Sequence, residues 1–418
     1  MRRILAVLLV AVVVALAPAG AALAEGETVQ GTLRAGAPVA GVRISVAAPD
    51  GTAVGTATSA ADGRWQVPVP AAGQYVVRLD TATLPPGITL AADVPAEQKV
   101  TVREGAFGAV LFRLSGGAAP VEETSKLDQV PQLAVEGLRL GLIIALASVG
   151  LSLVFGTTGL TNFAHGELVT IGAFVALVGN VGLGLPLAVA AVLAVLGGLA
   201  VGALADLAVW RPLRRRRAGL LAQMVVSIGL GMVLRYVLLL VIGGGGTRSY
   251  DVAGQTATEF GPVSITPRDL YAMGICAATL VGVAVMLRST RLGRAMRAVA
   301  DNRDLAAASG VDVERVILAV WACGGGLAAL GGVILGWTTN LRWDMGFNLL
   351  LLMFAGTVLG GLGTAYGALA GGLVVGLFIQ LSGLYLDGDL RNVIALAVLV
   401  VVLMVRPRGI LGTRQRIG

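Results

Sequence analysis

From residue 133 almost to its end, the chain is a run of apolar stretches separated by short polar links. They lie near 135–155, 163–179, 183–209, 219–242, 270–287, 316–338, 348–363, 365–386 and 391–405. Most approach the roughly 20 residues that a helix needs to cross a bilayer. Charge separates a buried soluble core from a membrane bundle. Only 13% of the residues are charged and 56% are hydrophobic, against about 25% charged in a soluble domain. That is too little charge to coat a soluble globule of this length. The expected fold is a polytopic α-helical membrane protein with eight or nine apolar segments. The second and seventh are short enough to be half-helices that re-enter the membrane.

Arginine placement gives an expected orientation. Residues 211–217, "RPLRRRR", hold five arginines, Arg288–Arg315 six and the tail after Val405 four. If the segments alternate, those three stretches share one side, and the opposite links hold only Arg248, Arg268, Arg342 and Arg391. Basic links stay in the cytoplasm, so the C-terminus, including residues 413–418, is expected there. The formal net charge of +7 then reports orientation, and no nucleic-acid partner is expected. Cys276 and Cys323 both fall in apolar stretches and read as inert packing residues.

The N-terminus has a different character. Residues 1–24 carry Arg2 and Arg3, an apolar run from Ile4 to Ala17 and the small-residue pattern Ala22-Leu23-Ala24, the parts of a secretory signal. An uncleaved anchor is the alternative; either way the following segment is exported. Residues 25–115 alternate apolar and polar, with turns at Asp50-Gly51 and Asp62-Gly63, which predicts a small exported all-β, antiparallel sandwich. A polar linker, 116–132, follows.

Catalytic motifs are missing from the sequence. His165 is the single histidine, so the paired-histidine zinc protease pattern has no match. Lys99 precedes Val and Lys126 precedes Leu, so no Gly-Lys-Ser/Thr loop exists to cradle phosphate. No catalytic residue and no metal site is expected, and ATP-driven work would need another polypeptide.

The polar segment 288–316, "RSTRLGRAMRAVADNRDLAAASGVDVERV", is organised. Asp301 is placed as the N-cap of a short helix with Asp304 in its first turn. Leu305–Ser309 continue that helix, Gly310 suits the left-handed position after it, and Asp312 can cap the next span. An ordinary solvated loop is the alternative. At the other candidate site, "NFAHGE", Asn162 is a plausible N-cap, with His165 at the third helical position and Glu167 in the second turn. A polar helix entry near the inner gate and a part in gating or substrate passage both fit. A lone histidine lacks the partners for a metal site.

"GLSLVFGTTGLTNFAHGELVTIGAF", the 288–316 segment, "GGLAALGGVILG", "GTVLGGLGTAYGALAGGLVVG" and "VRPRGILG" occur in an order that resembles the permeases of ATP-binding-cassette importers for branched-chain amino acids. That group also includes urea and short-amide permeases. The resemblance spans residues 133–412. It implies a pore subunit that pairs with a second permease, homo- or heterodimeric, in a bacterial cytoplasmic membrane. It also implies cytoplasmic ATPase subunits, which would bind the ATP and magnesium, and an extracytoplasmic solute-binding protein. ATPase docking is carried onto Ala300, Asp301, Asn302, Asp304, Leu305, Ala307, Ser309 and Gly310, and a translocation path or gate onto Asn162, His165, Gly166 and Glu167. Urea or amide import remains open, as does a secondary transporter or channel. An adhesion or sensor protein ranks last, because nine spans exceed what anchoring needs. Residues 25–115, with Pro38-Val39, Trp65 and Gly73-Gln74-Tyr75, resemble carboxypeptidase regulatory-like β-sandwich modules of exported proteins, and such a domain departs from the short permeases.

Overall fold

The computed structural model describes residues 28–386 apart from short gaps, together with single positions beyond them. The expected signal, the ninth apolar segment and the C-terminal tail lie outside the described residues. The chain divides into two compact units at Ser125/Lys126.

The first unit is built mainly from a four-stranded and a three-stranded sheet around one apolar core, with two small two-stranded sheets beside them. Arg43–Ala47 lies between Ala53–Thr58 and Gly73–Leu79, and Glu97–Val102 pairs with the outer edge of Gly73–Leu79, all antiparallel. The second sheet places Thr28–Thr32 between Arg64–Pro68 and Phe107–Val110. Its pairing with Phe107–Val110 is parallel, a correction to the antiparallel expectation: the first and last long strands of the unit run side by side, and no hairpin joins them. Alternation does the rest. Along Arg64–Pro68, Trp65 and Val67 point inward beside Ile44, Val77 and Phe112. Gly63 has φ +77°, and a side chain there would strike the Leu33 carbonyl, so this turn admits only glycine without strain.

The second unit is helical. Its helices are α1 (Lys126–Thr158), α2 (His165–Gly182), α3 (Leu187–Arg215), α4 (Leu220–Ile242), α5 (Pro267–Ser289), α6 (Arg291–Asp301), α7 (Arg303–Ala308), α8 (Val313–Thr338), α9 (Met345–Gly360) and α10 (Ala365–Ser382). Among the described residues seven are long and apolar enough to cross a membrane: α1, α2, α3, α4, α5, α8 and α10. With 16 residues, α9 is apolar but shorter than these seven. The expected linker is corrected at its end, because α1 begins at Lys126 and carries Asp128, Gln129 and Gln132 into the helix. Hydropathy marks where a helix meets lipid, not where it starts. Helix α2 ends in a π turn at Val178–Gly182, and α3 carries one at Asp206–Trp210 before its last helical residues, Arg211–Arg215.

Small residues set the centre of the bundle. Gly150 of α1 meets Gly324 of α8, and Gly198 and Gly202 of α3 meet Gly325. Gly356 of α9 meets Gly371 and Gly372 of α10. Lipid gives apolar helices no hydrophobic reason to associate, so close backbone approach supplies the packing. Helices α1, α2 and α8 are mostly buried in the bundle, whereas α3, α4 and α5 leave most of their surface open.

Candidate functional site

The polar segment between α5 and α8 folds as two helices where one was expected. Thr290 caps α6, its Oγ1 accepting from Gly293 N at 3.0 Å, and Gly293, Met296 and Val299 are buried. Asp301 is the last residue of α6, so the expected cap moves by one position. Asn302, extended at φ −152°, accepts from Leu305 N at 2.9 Å and starts α7. The cause is continuity: α6 keeps Asp301 helical, and the first residue free to extend is the next one. Asp304 sits in the first turn of α7. Gly310 takes φ +89°, and Asp312 caps α8 by accepting from Arg315 N at 3.1 Å. Ala300, Asp301, Asn302, Asp304, Leu305, Ala307, Ser309 and Gly310 are all exposed; Ala306 alone in this stretch is buried. Leu305 is 67% exposed, an apolar side chain on the surface.

This exposed helix is tied to the bundle through Glu314, in the first turn of α8. Arg303 of α7 donates to Glu314 at 3.1 Å, and Arg211 and Arg214 of α3 approach it at 3.2 and 3.0 Å. Arg214 also donates to Asp206 at 2.7 Å, and Asp206 is fully buried. A ring stack of Trp210 on Trp321, with centroids 5.3 Å apart, joins the same two helices. Sequence reasoning missed this network, although a lone acid inside an apolar segment, Asp206, was its visible signal.

The start of α2 also differs from expectation. Asn162 Oδ1 accepts from Ala164 N at 3.1 Å, closing a tight turn, and the helix begins at His165. His165 is therefore the first helical residue, not the third, and Glu167 falls in the first turn. The asparagine reaches only the amide two residues on, so it shapes the entry without capping it. Nor does α2 start at an end of the bundle. The link 159–164 runs back along α4: Gly159 packs on Leu220, Phe163 N donates to Ser227, Ala164 faces Gly231, and Glu167 meets Arg235. From Leu220 to Arg235, α4 rises about 22 Å at about 1.5 Å per residue. A bilayer core is about 30 Å thick. Glu167 therefore sits within the spans, about two-thirds of the way along α4 and nearer its Ile242 end.

Its surroundings are sparse. Nε and Nη2 of Arg235 both donate to Oε1 of Glu167 at 3.2 Å, while Oε2 is buried without a partner. Both ring nitrogens of His165 are also buried and unpartnered. The Arg235 guanidinium lies 3.5 Å from the centre of the Phe347 ring. Phe347 belongs to α9, which starts against α2. Gly346 packs on Gly166, and Gly346 N donates to Thr170 Oγ1 at 3.1 Å. Ahead of α9, Arg342 pairs with Asp344 at 3.0 Å and holds its carboxyl below the usual carboxylate range. Arg235, a lone charge in the apolar run "GMVLRYVLLL", also went unnoticed in the sequence.

Known proteins align with the helical unit. A family model described as branched-chain amino acid transport system / permease component matches residues 133–403. The high-affinity branched-chain amino acid transport system permease protein LivH of Salmonella typhimurium is 31% identical over 299 residues, covering 67% of this chain and 95% of LivH. BraD, the corresponding permease protein of Pseudomonas aeruginosa, is 29% identical with the same coverage. The probable LivH of Methanocaldococcus jannaschii is 30% identical, covering 65% of this chain and 89% of that protein. Both the extent of the family match and the near-complete coverage of LivH lead to one assignment: the chain belongs to the branched-chain amino acid transport system permease component family.

Proposed function

We propose that this chain is the membrane permease subunit of an ATP-binding-cassette importer that moves branched-chain amino acids across the cytoplasmic membrane. The family match over residues 133–403 carries this reading. Separate ATPase subunits supply the energy. They dock on Ala300–Gly310, where a short capped helix exposes Leu305 just after Asp304. Glu314 joins that helix to α3 and α8, so a push on α7 is felt by two spans. The arginine distribution supports placing α6, α7 and the C-terminus in the cytoplasm, with the N-terminal sandwich outside as a spacer or docking module. A second permease subunit would cover part of the open surface of α3, α4 and α5, and a solute-binding protein would deliver the substrate. Asn162, His165, Gly166 and Glu167 form the gate region of the path.

Copurification tests the docking assignment. Replacing Asp301 and Asp304, both exposed, with arginine should leave membrane insertion and stability intact and abolish ATPase association. Normal copurification of that double variant would refute it. Uptake of labelled leucine against labelled urea in a deletion strain tests the substrate.

A further inference from the structure

Glu167 and Arg235 form a charge pair within the spans, yet half of the carboxylate has no partner. Charged groups there are costly and tend to mark the route of a substrate. A buried pair repays its desolvation only when its remaining lone pairs are satisfied, and here Oε2 is not. The pair is open from its arginine side: Glu167 is buried, but Arg235 is partly exposed, and Phe347 and Leu351, at 37% and 41% exposure, form one open apolar face of α9 beside it. Residues four apart on a helix lie one above the other. An opposite-charge pair next to an open apolar strip matches a molecule bearing an ammonium, a carboxylate and an aliphatic side chain. We infer that Glu167 and Arg235 bind the charged groups of the passing α-amino acid, with Phe347 and Leu351 receiving its side chain.

In this state the two side chains close on each other. A substrate would part them, its carboxylate taking the Arg235 guanidinium and its ammonium taking Glu167. The Gly166–Gly346 contact lets the starts of α2 and α9 approach until only backbone lies between them. The inference rests on the permease reading above, and the test separates the two.

The whole transporter, with ATPases and binding protein, is reconstituted in liposomes. Labelled leucine uptake and leucine-stimulated ATP hydrolysis are measured together. The variants are Arg235→Lys and the double substitution Glu167→Gln with Arg235→Gln, which removes both charges and leaves neither uncompensated. The inference expects uptake by the double variant to fall at least tenfold while stimulated hydrolysis stays within twofold of wild type. Arg235→Lys, which keeps the positive charge, should retain measurable uptake. Uptake by the double variant within twofold of wild type would overturn the inference. So would a parallel fall of uptake and hydrolysis, which would mark the pair as structural. Failure of the wild-type assembly to move leucine would refute the permease reading instead.

Discussion

Glu314 and Glu167 are both glutamates in the first turn of a membrane helix, and they are partnered in opposite ways. Glu314 is reached by three arginines from two other helices, one of which also pairs with a second acid, Asp206. Glu167 has a single arginine on one oxygen and nothing on the other. The first arrangement ties three helices together through three arginines and two acids, although Oδ2 of Asp206 lacks a hydrogen bond, and suits a permanent joint between the exposed α7 and the spans. The second leaves room for a partner that comes and goes. A charge held by several partners on separate helices is a better rigid joint than one held by a single partner, which a ligand can replace.

The comparison breaks most sharply at Asp206. Removing it leaves Arg214, which is 8% exposed, with Glu314 as its remaining carboxylate. Taking one member out of a buried pair costs about 3–5 kcal/mol. Asp206→Ala should therefore lower the unfolding midpoint of the purified chain in detergent more than any other single charge removal discussed here. A midpoint within the error of wild type would show that the network is not a joint. Glu167→Ala should cost less. Arg235 keeps partial exposure and its contact with the Phe347 ring, so the orphaned charge retains some solvation. If Glu167→Ala were the more destabilising of the two, the contrast between a closed and an open cluster would fail.

Much of the architecture is visible in the sequence, because burial in lipid demands length and apolarity, and both can be read in one dimension. Eight of the apolar stretches contain helices, and the short seventh corresponds to α9. Gly310 and Asp312 were legible as cap signals because capping is local. What was missed is either amphipathic or long-range. Helix α6 hides its apolar face in an arginine-rich segment, although Gly293, Met296 and Val299 recur at three-residue spacing. The Glu167–Arg235 pair joins residues on separate helices, and only the return of the 159–164 link along α4 brings them together. Asn162 carries the right side chain for a cap, but the backbone after it turns too early. The sequence supplies the residue there, while tertiary packing supplies the geometry.

The smallest effect is expected at Arg303, and it sharpens the comparison by separating stability from transmission. Its side chain is 42% exposed, and ion pairs this open contribute about 0.2–1 kcal/mol. Arg303→Ala should therefore leave the unfolding midpoint nearly unchanged, since Arg211 and Arg214 still hold Glu314. It does cut the ion pair between α7 and Glu314. ATPase subunits should still copurify, because the exposed face around Leu305 is intact, but each ATP hydrolysed should move less leucine. A variant with wild-type stability, wild-type ATPase binding and wild-type transport per ATP would mean that α7 drives the spans through its flanking backbone, at Asn302 and Gly310, and that Glu314 only anchors α3 to α8.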